Sequence, residues 1–214
     1  EGVHGVYDVH EEFIAKQIEL VLKDLGADCI KTGMLHSIPV IETVHKALAE
    51  LAPDTPLVVD PVMVAKGGHL LEPQALNAMK NRMVARATLL TPNIPEAELL
   101  TGQKITGRDD MLRVGEILLK LGPKHVLMKG GHMEGDELVD ILVSADAEPV
   151  SFSSERIDTV HTHGTGCTTA SAIAAGLAQG LSVEDAVSRA RDYVRKAILS
   201  APGYGHGHGP LNHA

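Results

Sequence analysis

Helix-patterned and strand-patterned segments alternate along almost the whole chain, and this alternation restricts the fold more than any other feature. From His10 to Leu25 the apolar residues Phe13, Ile14, Ile18, Val21, Leu22 and Leu25 recur near helical spacing, and Gly26 stops the helix. Cys29–Lys31 reads as a buried strand ending at Thr32-Gly33. A second helix covers about Pro39–Leu51, Pro53–Pro56 breaks it, and Leu57-Val58-Val59 is a β-branched strand ending in Asp60. A loop over Pro61–Leu70 leads to a helix around Pro73–Met83. Next come a strand Thr88–Thr91, a short helix after Pro95, a longer one over Asp109–Leu121 and a strand His125–Lys129. Glu137–Val143 and Val150–Phe152 read as a strand pair near one edge. A loop Thr159–Gly166 then precedes two helices, Cys167–Gly180 and Val183–Leu199, and the tail Pro202–Ala214 is rich in Gly and His. The pattern predicts one α/β domain over residues 1–214, with a mostly parallel central sheet and helices on both faces.

Composition narrows the functional classes. The net charge of −9 argues against a dedicated nucleic-acid or anionic-membrane binder, either of which needs a basic surface. No apolar run reaches the length a bilayer requires. With no Trp, two Phe and three Tyr, the core must be aliphatic. Cys29 and Cys167 are the only cysteines and read as free thiols in a reducing compartment, and no signal-peptide pattern occurs.

In a parallel sheet, chemistry collects at the carboxyl ends of the strands. The residues to watch are therefore Gly33-Met34, Asp60-Pro61-Val62-Met63, Thr91-Pro92-Asn93, Lys129-Gly130-Gly131-His132 and the loop before Cys167. The strongest signal is Thr162-His163-Gly164-Thr165-Gly166-Cys167-Thr168-Thr169, a Gly-rich turn running into a helix. Small residues let backbone N–H groups approach an anion, and the helix N-terminus adds its dipole. The alternative is a tight loop capped by Thr168. The Gly-Lys-Ser/Thr end of a Walker A loop is missing. Cys167, in the first helical turn, is expected to have a lowered thiol pKa and could act as base or nucleophile; otherwise it is a small residue at a crowded helix start. Asp60 and Glu96 sit at or just after two strand ends and suit Mg²⁺ alongside substrate phosphates, although a turn and a helix start would also explain them. The twelve histidines show no zinc spacing.

Five segments occur in the order seen in hydroxymethylpyrimidine/phosphomethylpyrimidine kinases, thiamine-biosynthesis enzymes of the ribokinase superfamily, and the whole chain resembles that family. They are Lys31–Leu35, Asp60–Lys66, Thr91–Ala97, Leu127–His132 and Thr162–Cys167, and the tail Gly205–Leu211 is also similar. The resemblance implies a ribokinase-like three-layer sandwich. It further implies transfer of the γ-phosphoryl group of ATP to the hydroxymethyl group of 4-amino-5-hydroxymethyl-2-methylpyrimidine, and in many members to the resulting monophosphate. In that picture Gly164, Thr165, Gly166 and Cys167 form the anion hole, and Cys167 accepts the hydroxyl proton where most ribokinase relatives carry Asp. Asp60 and Glu96 organise Mg²⁺, Asn93, Lys129 and Thr165 lie at the nucleotide, and Met34 and Val62 line the pyrimidine pocket. Family members usually carry Asn where His161 stands. They also begin with a strand, a Gly-rich segment and a lid, about 45 residues ahead of the point matching Glu1. The expectation is therefore a sheet without that N-terminal strand and lid. Family analogy further implies a homodimer in the cytoplasm, with no nucleic-acid or membrane partner.

Three alternatives remain at this stage. A pyridoxal (vitamin B6) kinase has similar Asp-Pro-Val-Met and Gly-Thr-Gly loops but usually Asp at the Cys167 position, and some Cys-bearing relatives handle both substrates. A sugar or nucleoside kinase fits the Lys31–Leu35 and Asp60–Lys66 motifs less well. The third is a ligand-binding remnant without turnover.

Overall fold

Alternate residues of the central strands enter two separate aliphatic cores, and this sorting fixes the layers. In the computed structural model, which describes residues 5–65, 68–131, 133 and 135–214, Leu57 and Val59 face one core while Val58 faces the other. Leu90 and Leu89 divide in the same way, as do Val126 and Met128 against Leu127, and Ile141 and Val143 against Leu142. Strands buried on both faces need helices on both faces. Burying each such side chain contributes about 1.5–3 kcal/mol, and Leu89, Leu90, Val126, Leu127 and Met128 are all fully buried.

The strands are β1 (Ile30–Thr32), β2 (Leu57–Val59), β3 (Val64–Ala65), β4 (Gly68–His69), β5 (Leu89–Leu90), β6 (His125–Met128), β7 (Glu137–Ser144) and β8 (Ala147–Glu155). The main sheet runs β1-β2-β5-β6-β7-β8. The first four are mutually parallel, whereas β7 and β8 are antiparallel and close the edge as a hairpin. The helices are α1 (Glu11–Asp24), α2 (Ile38–Leu51), α3 (Leu76–Ala78), α4 (Ile94–Thr101), α5 (Arg108–Leu119), α6 (Thr165–Ala178) and α7 (Val183–Leu199). The core containing Ile41, Leu48, Met79, Leu100, Val114 and Leu118 lies on one face, and that of Ile173, Ala174, Ala186 and Ala190 on the other.

Two expectations need correction. The loop Pro61–Leu70 contains a two-stranded antiparallel ribbon, β3 with β4. The helix expected over Pro73–Met83 is a chain of turns: 3-10 over Pro73–Ala75, α3, a π turn over Met79–Met83 and a final 3-10 turn over Val84–Arg86. Packing decides this segment, because Ala75, Met79, Met83 and Val84 are all buried together. Smaller shifts occur elsewhere: β1 begins at Ile30 rather than Cys29, and α6 begins at Thr165 rather than Cys167. Lys66 and His132, which belong to two of the quoted motifs, lie outside the described residues.

Candidate active site

The parallel strands deliver their carboxyl ends to one edge, where Asp60, Thr91-Asn93 and Lys129 follow β2, β5 and β6. Asp60 is 2% exposed, so its charge requires partners. Its Oδ1 accepts from Lys129 Nζ at 2.9 Å and from Thr91 Oγ1 at 3.1 Å. Asn93 bridges to Lys129 at the backbone, and the Lys129 N–H donates to Pro92 O, which holds these two strand ends side by side.

Asn93 and Glu96 form a reciprocal cap on α4: Asn93 Oδ1 accepts from the Glu96 N–H and Glu96 Oε2 accepts from the Asn93 N–H, both at 2.9 Å. Glu96 is only 3% exposed. Burial pushes its carboxyl up to about 7, against the pull of Lys129 and of the Asn93 N–H, while Asp60 adds to the rise. Among the described residues no group of three His, Cys, Asp or Glu side chains is placed to hold a metal. A divalent cation at this edge would therefore rest on Asp60 and Glu96, with waters and substrate phosphates completing its shell. That donor set is all oxygen and fits Mg²⁺.

Gly164 caps α6 with φ +87°, a backbone region open to glycine without strain. Thr168 N donates back to Gly164 O, and the Gly166 and Cys167 N–H groups have no backbone partner among the described residues. These are the free donors that an anion at a helix start requires. The expected lowering of the Cys167 thiol is overturned. Desolvation and then the Asp60 carboxylate push it up, outweighing Lys31 and Lys129. Cys167 keeps part of its surface exposed at the mouth of the site. The resting side chain is a thiol.

A cavity of about 590 Å³ opens between the loop after β6, the β7–β8 hairpin, the Thr159–Gly166 loop and α7; Asn93, Lys129, Gly164, Thr165 and Gly166 line it. Met34, 40% exposed, and half-buried Val62 follow β1 and β2 at the same sheet edge but do not line this cavity. A second hollow runs from Cys167 along α6 past Ser171 and Ala175. The adjacent residues Gly166 and Cys167 thus open on different hollows.

Sequence reasoning missed several groups. Asp140, buried on β7, accepts from the Gly130 N–H at 2.8 Å and pairs with Arg191 of α7, which also donates to Ser154. An acid inside the apolar run Leu138–Val143 was the available signal for a buried, partnered carboxylate. Arg156 donates to the carbonyls of Gly131, Met133 and Gly135 and so ties the loop after β6 to the end of β8. The imidazole of His161 packs beneath Gly209, and its Nδ1 is buried with no partner among the described residues.

Comparison with known proteins adds independent findings. A family model described as phosphomethylpyrimidine kinase matches residues 1–212. The hydroxymethylpyrimidine/phosphomethylpyrimidine kinase of Bacillus subtilis is 41% identical over 213 residues, covering 99% of this chain and 78% of that protein. A crystal structure of a phosphomethylpyrimidine kinase from Clostridium difficile is 42% identical with a TM-score of 0.79, covering 92% of this chain and 80% of that one. An ADP complex of a Bacillus subtilis pyridoxal kinase is 31% identical with a TM-score of 0.89, covering 98% and 78%.

Proposed function

The chain belongs to the phosphomethylpyrimidine kinase family, and from that premise we propose how this edge of the sheet performs the family's reaction. The protein is a phosphotransferase of ribokinase-like fold with ATP as co-substrate. Its reaction is transfer of the γ-phosphoryl group to hydroxymethylpyrimidine and then to the monophosphate, in thiamine biosynthesis. The observation that carries the residue assignments is the meeting of the Gly164–Cys167 turn with the Asp60–Lys129 pair.

Phosphoryl transfer needs positioning and charge neutralisation more than covalent chemistry from the protein. The free N–H groups of Gly166 and Cys167, with Gly164 and Thr165 shaping the turn, stabilise the transferring group. Lys129, Asn93 and Thr165 face the nucleotide phosphates from the 590 Å³ cavity. Asp60 and Glu96 would hold Mg²⁺ through its waters, and the ion would neutralise phosphate charge there. Cys167 accepts the proton of the attacking hydroxyl. Because its thiol pKa is raised, Cys167 must give up its own proton to solvent before the thiolate takes the hydroxyl proton. Met34 and Val62 flank the pyrimidine. The same reading takes residues 1–214 as one domain of a cytoplasmic homodimer, with small molecules as its only ligands.

The likeness to solved pyridoxal kinases favours one second reading, a vitamin B6 kinase or dual-specificity enzyme. Incubation with Mg·ATP and either hydroxymethylpyrimidine or pyridoxal, with products identified by mass, separates them. The account expects the pyrimidine mono- and diphosphate, with kcat/KM for the pyrimidine above that for pyridoxal. The reverse order would transfer the assignment to the B6 reading.

A further inference from the structure

Two lysine ammonium groups approach Cys167, and among the described residues only one has an anionic partner. Lys129 Nζ is paired with Asp60 and lies against Gly166, 3.3 Å from where a Cβ on that glycine would stand. Lys31 Nζ lies against Gly33, 3.1 Å from the corresponding position there. Lys31 makes no hydrogen bond or ion pair with any described residue, although it is half-buried. It pairs in register with Val58, whose side chain enters the core beneath α6 and α7, so Lys31 projects onto the sheet face on which α6 begins. Its positive charge reaches the Cys167 thiol from that side.

We propose that Lys31 holds the phosphate of the phosphorylated acceptor during the second transfer, so that the two transfers at one site depend on different side chains. This rests on the reading that the chain phosphorylates both acceptors. In the first transfer a hydroxyl oxygen attacks the γ-phosphorus. The new P–O bond forms as the bond to the β–γ bridging oxygen breaks, ADP leaves, and the hydroxyl proton must be accepted. In the second transfer the attacking atom is an oxygen of the monophosphate, whose second ionisation lies near about 6. The same bond forms and the same bond breaks, ADP leaves, and no proton has to be removed. The obstacle becomes charge, since one phosphate must approach another beside Asp60, where partial burial strengthens repulsion. A cation already committed to a carboxylate offsets little of that. Lys31 has no anionic partner among the described residues and stands on the Cys167 side.

The test compares the full chain with Lys31→Met, Lys31→Gln, Lys31→Arg and Cys167→Ala, using purified hydroxymethylpyrimidine and its monophosphate as separate acceptors at saturating Mg·ATP. Thermal melting and ATP affinity report folding, and Lys31→Gln serves as reference if Lys31→Met is poorly folded. Removing the ammonium should lower kcat/KM for the monophosphate by about 10- to 100-fold, chiefly through KM, and lower the hydroxymethyl value much less. Lys31→Arg should recover most of the loss. Cys167→Ala should shift the ratio the opposite way, because only the first transfer needs a proton acceptor. An equal loss on both acceptors, or no change in their ratio, would overturn the proposal while leaving the kinase reading intact. If the wild-type chain phosphorylates neither acceptor, both fall.

Discussion

Asp60 sets the state of its neighbours from a single carboxylate oxygen. It fixes Lys129 and Thr91, helps raise Glu96, and adds to the rise that burial imposes on the Cys167 thiol. The consequence for Glu96 can be measured. Its carboxyl lies near 4.5 when unfolded and about 7 when folded, so between those values the folded chain keeps a proton that the unfolded chain has lost. Stability from this group is therefore present at low pH and lost as pH rises through the window. Glu96→Gln keeps the cap geometry without the charge. In chelator-containing buffer, urea unfolding should show the variant gaining on the wild type from pH 5 to pH 8, by at most on the order of 3 kcal/mol. Parallel stability curves would contradict the assignment. The sequence reading placed Asp60 at a strand end, and Glu96 takes the helix start that was its stated alternative. The direction of the Cys167 shift was out of reach because it depends on burial by the folded chain and then on Asp60, more than a hundred residues away in sequence.

Arg191 on α7, Asp140 on β7 and the Gly130 N–H form one link that steadies the turn carrying Lys129. The turn also requires glycine, since a Cβ on Gly130 would collide with the Val139 carbonyl. Asp140→Ala strands a largely buried guanidinium, so we expect a stability loss of about 3–5 kcal/mol and a raised KM for ATP. Replacing both partners with apolar residues, Asp140→Leu with Arg191→Met, should restore much of the stability and little of the ATP affinity. Full recovery of ATP affinity would show that the link is structural only. Strong periodicity made the parallel strands and the long helices α1, α2, α5 and α7 readable. The β3–β4 ribbon and the mixed turns over Pro73–Arg86 were not, because the shared burial of Met79, Met83 and Val84 overrides the local pattern.

On the scale of the molecule, the site draws five residues from distant parts of the sequence: Lys31 within β1, Asp60, Asn93 and Lys129 beyond the ends of β2, β5 and β6, and Cys167 in the first turn of α6. Strand-end logic made that convergence legible. The two hollows meeting at Gly166 and Cys167, and a Lys31 ammonium without an anionic partner among the described residues, required coordinates. The central claim is that backbone groups of the Gly164–Cys167 turn hold the nucleotide phosphate while the Cys167 side chain takes the proton. Cys167→Ala separates those tasks, with Cys29→Ala as control, since the half-buried Cys29 packs against the core beneath α6. The measurement is kcat with hydroxymethylpyrimidine beside ATP affinity. The account expects Cys167→Ala to lose about two to four orders of magnitude in kcat with ATP affinity retained, and Cys29→Ala to keep both. Undiminished turnover by Cys167→Ala would contradict it.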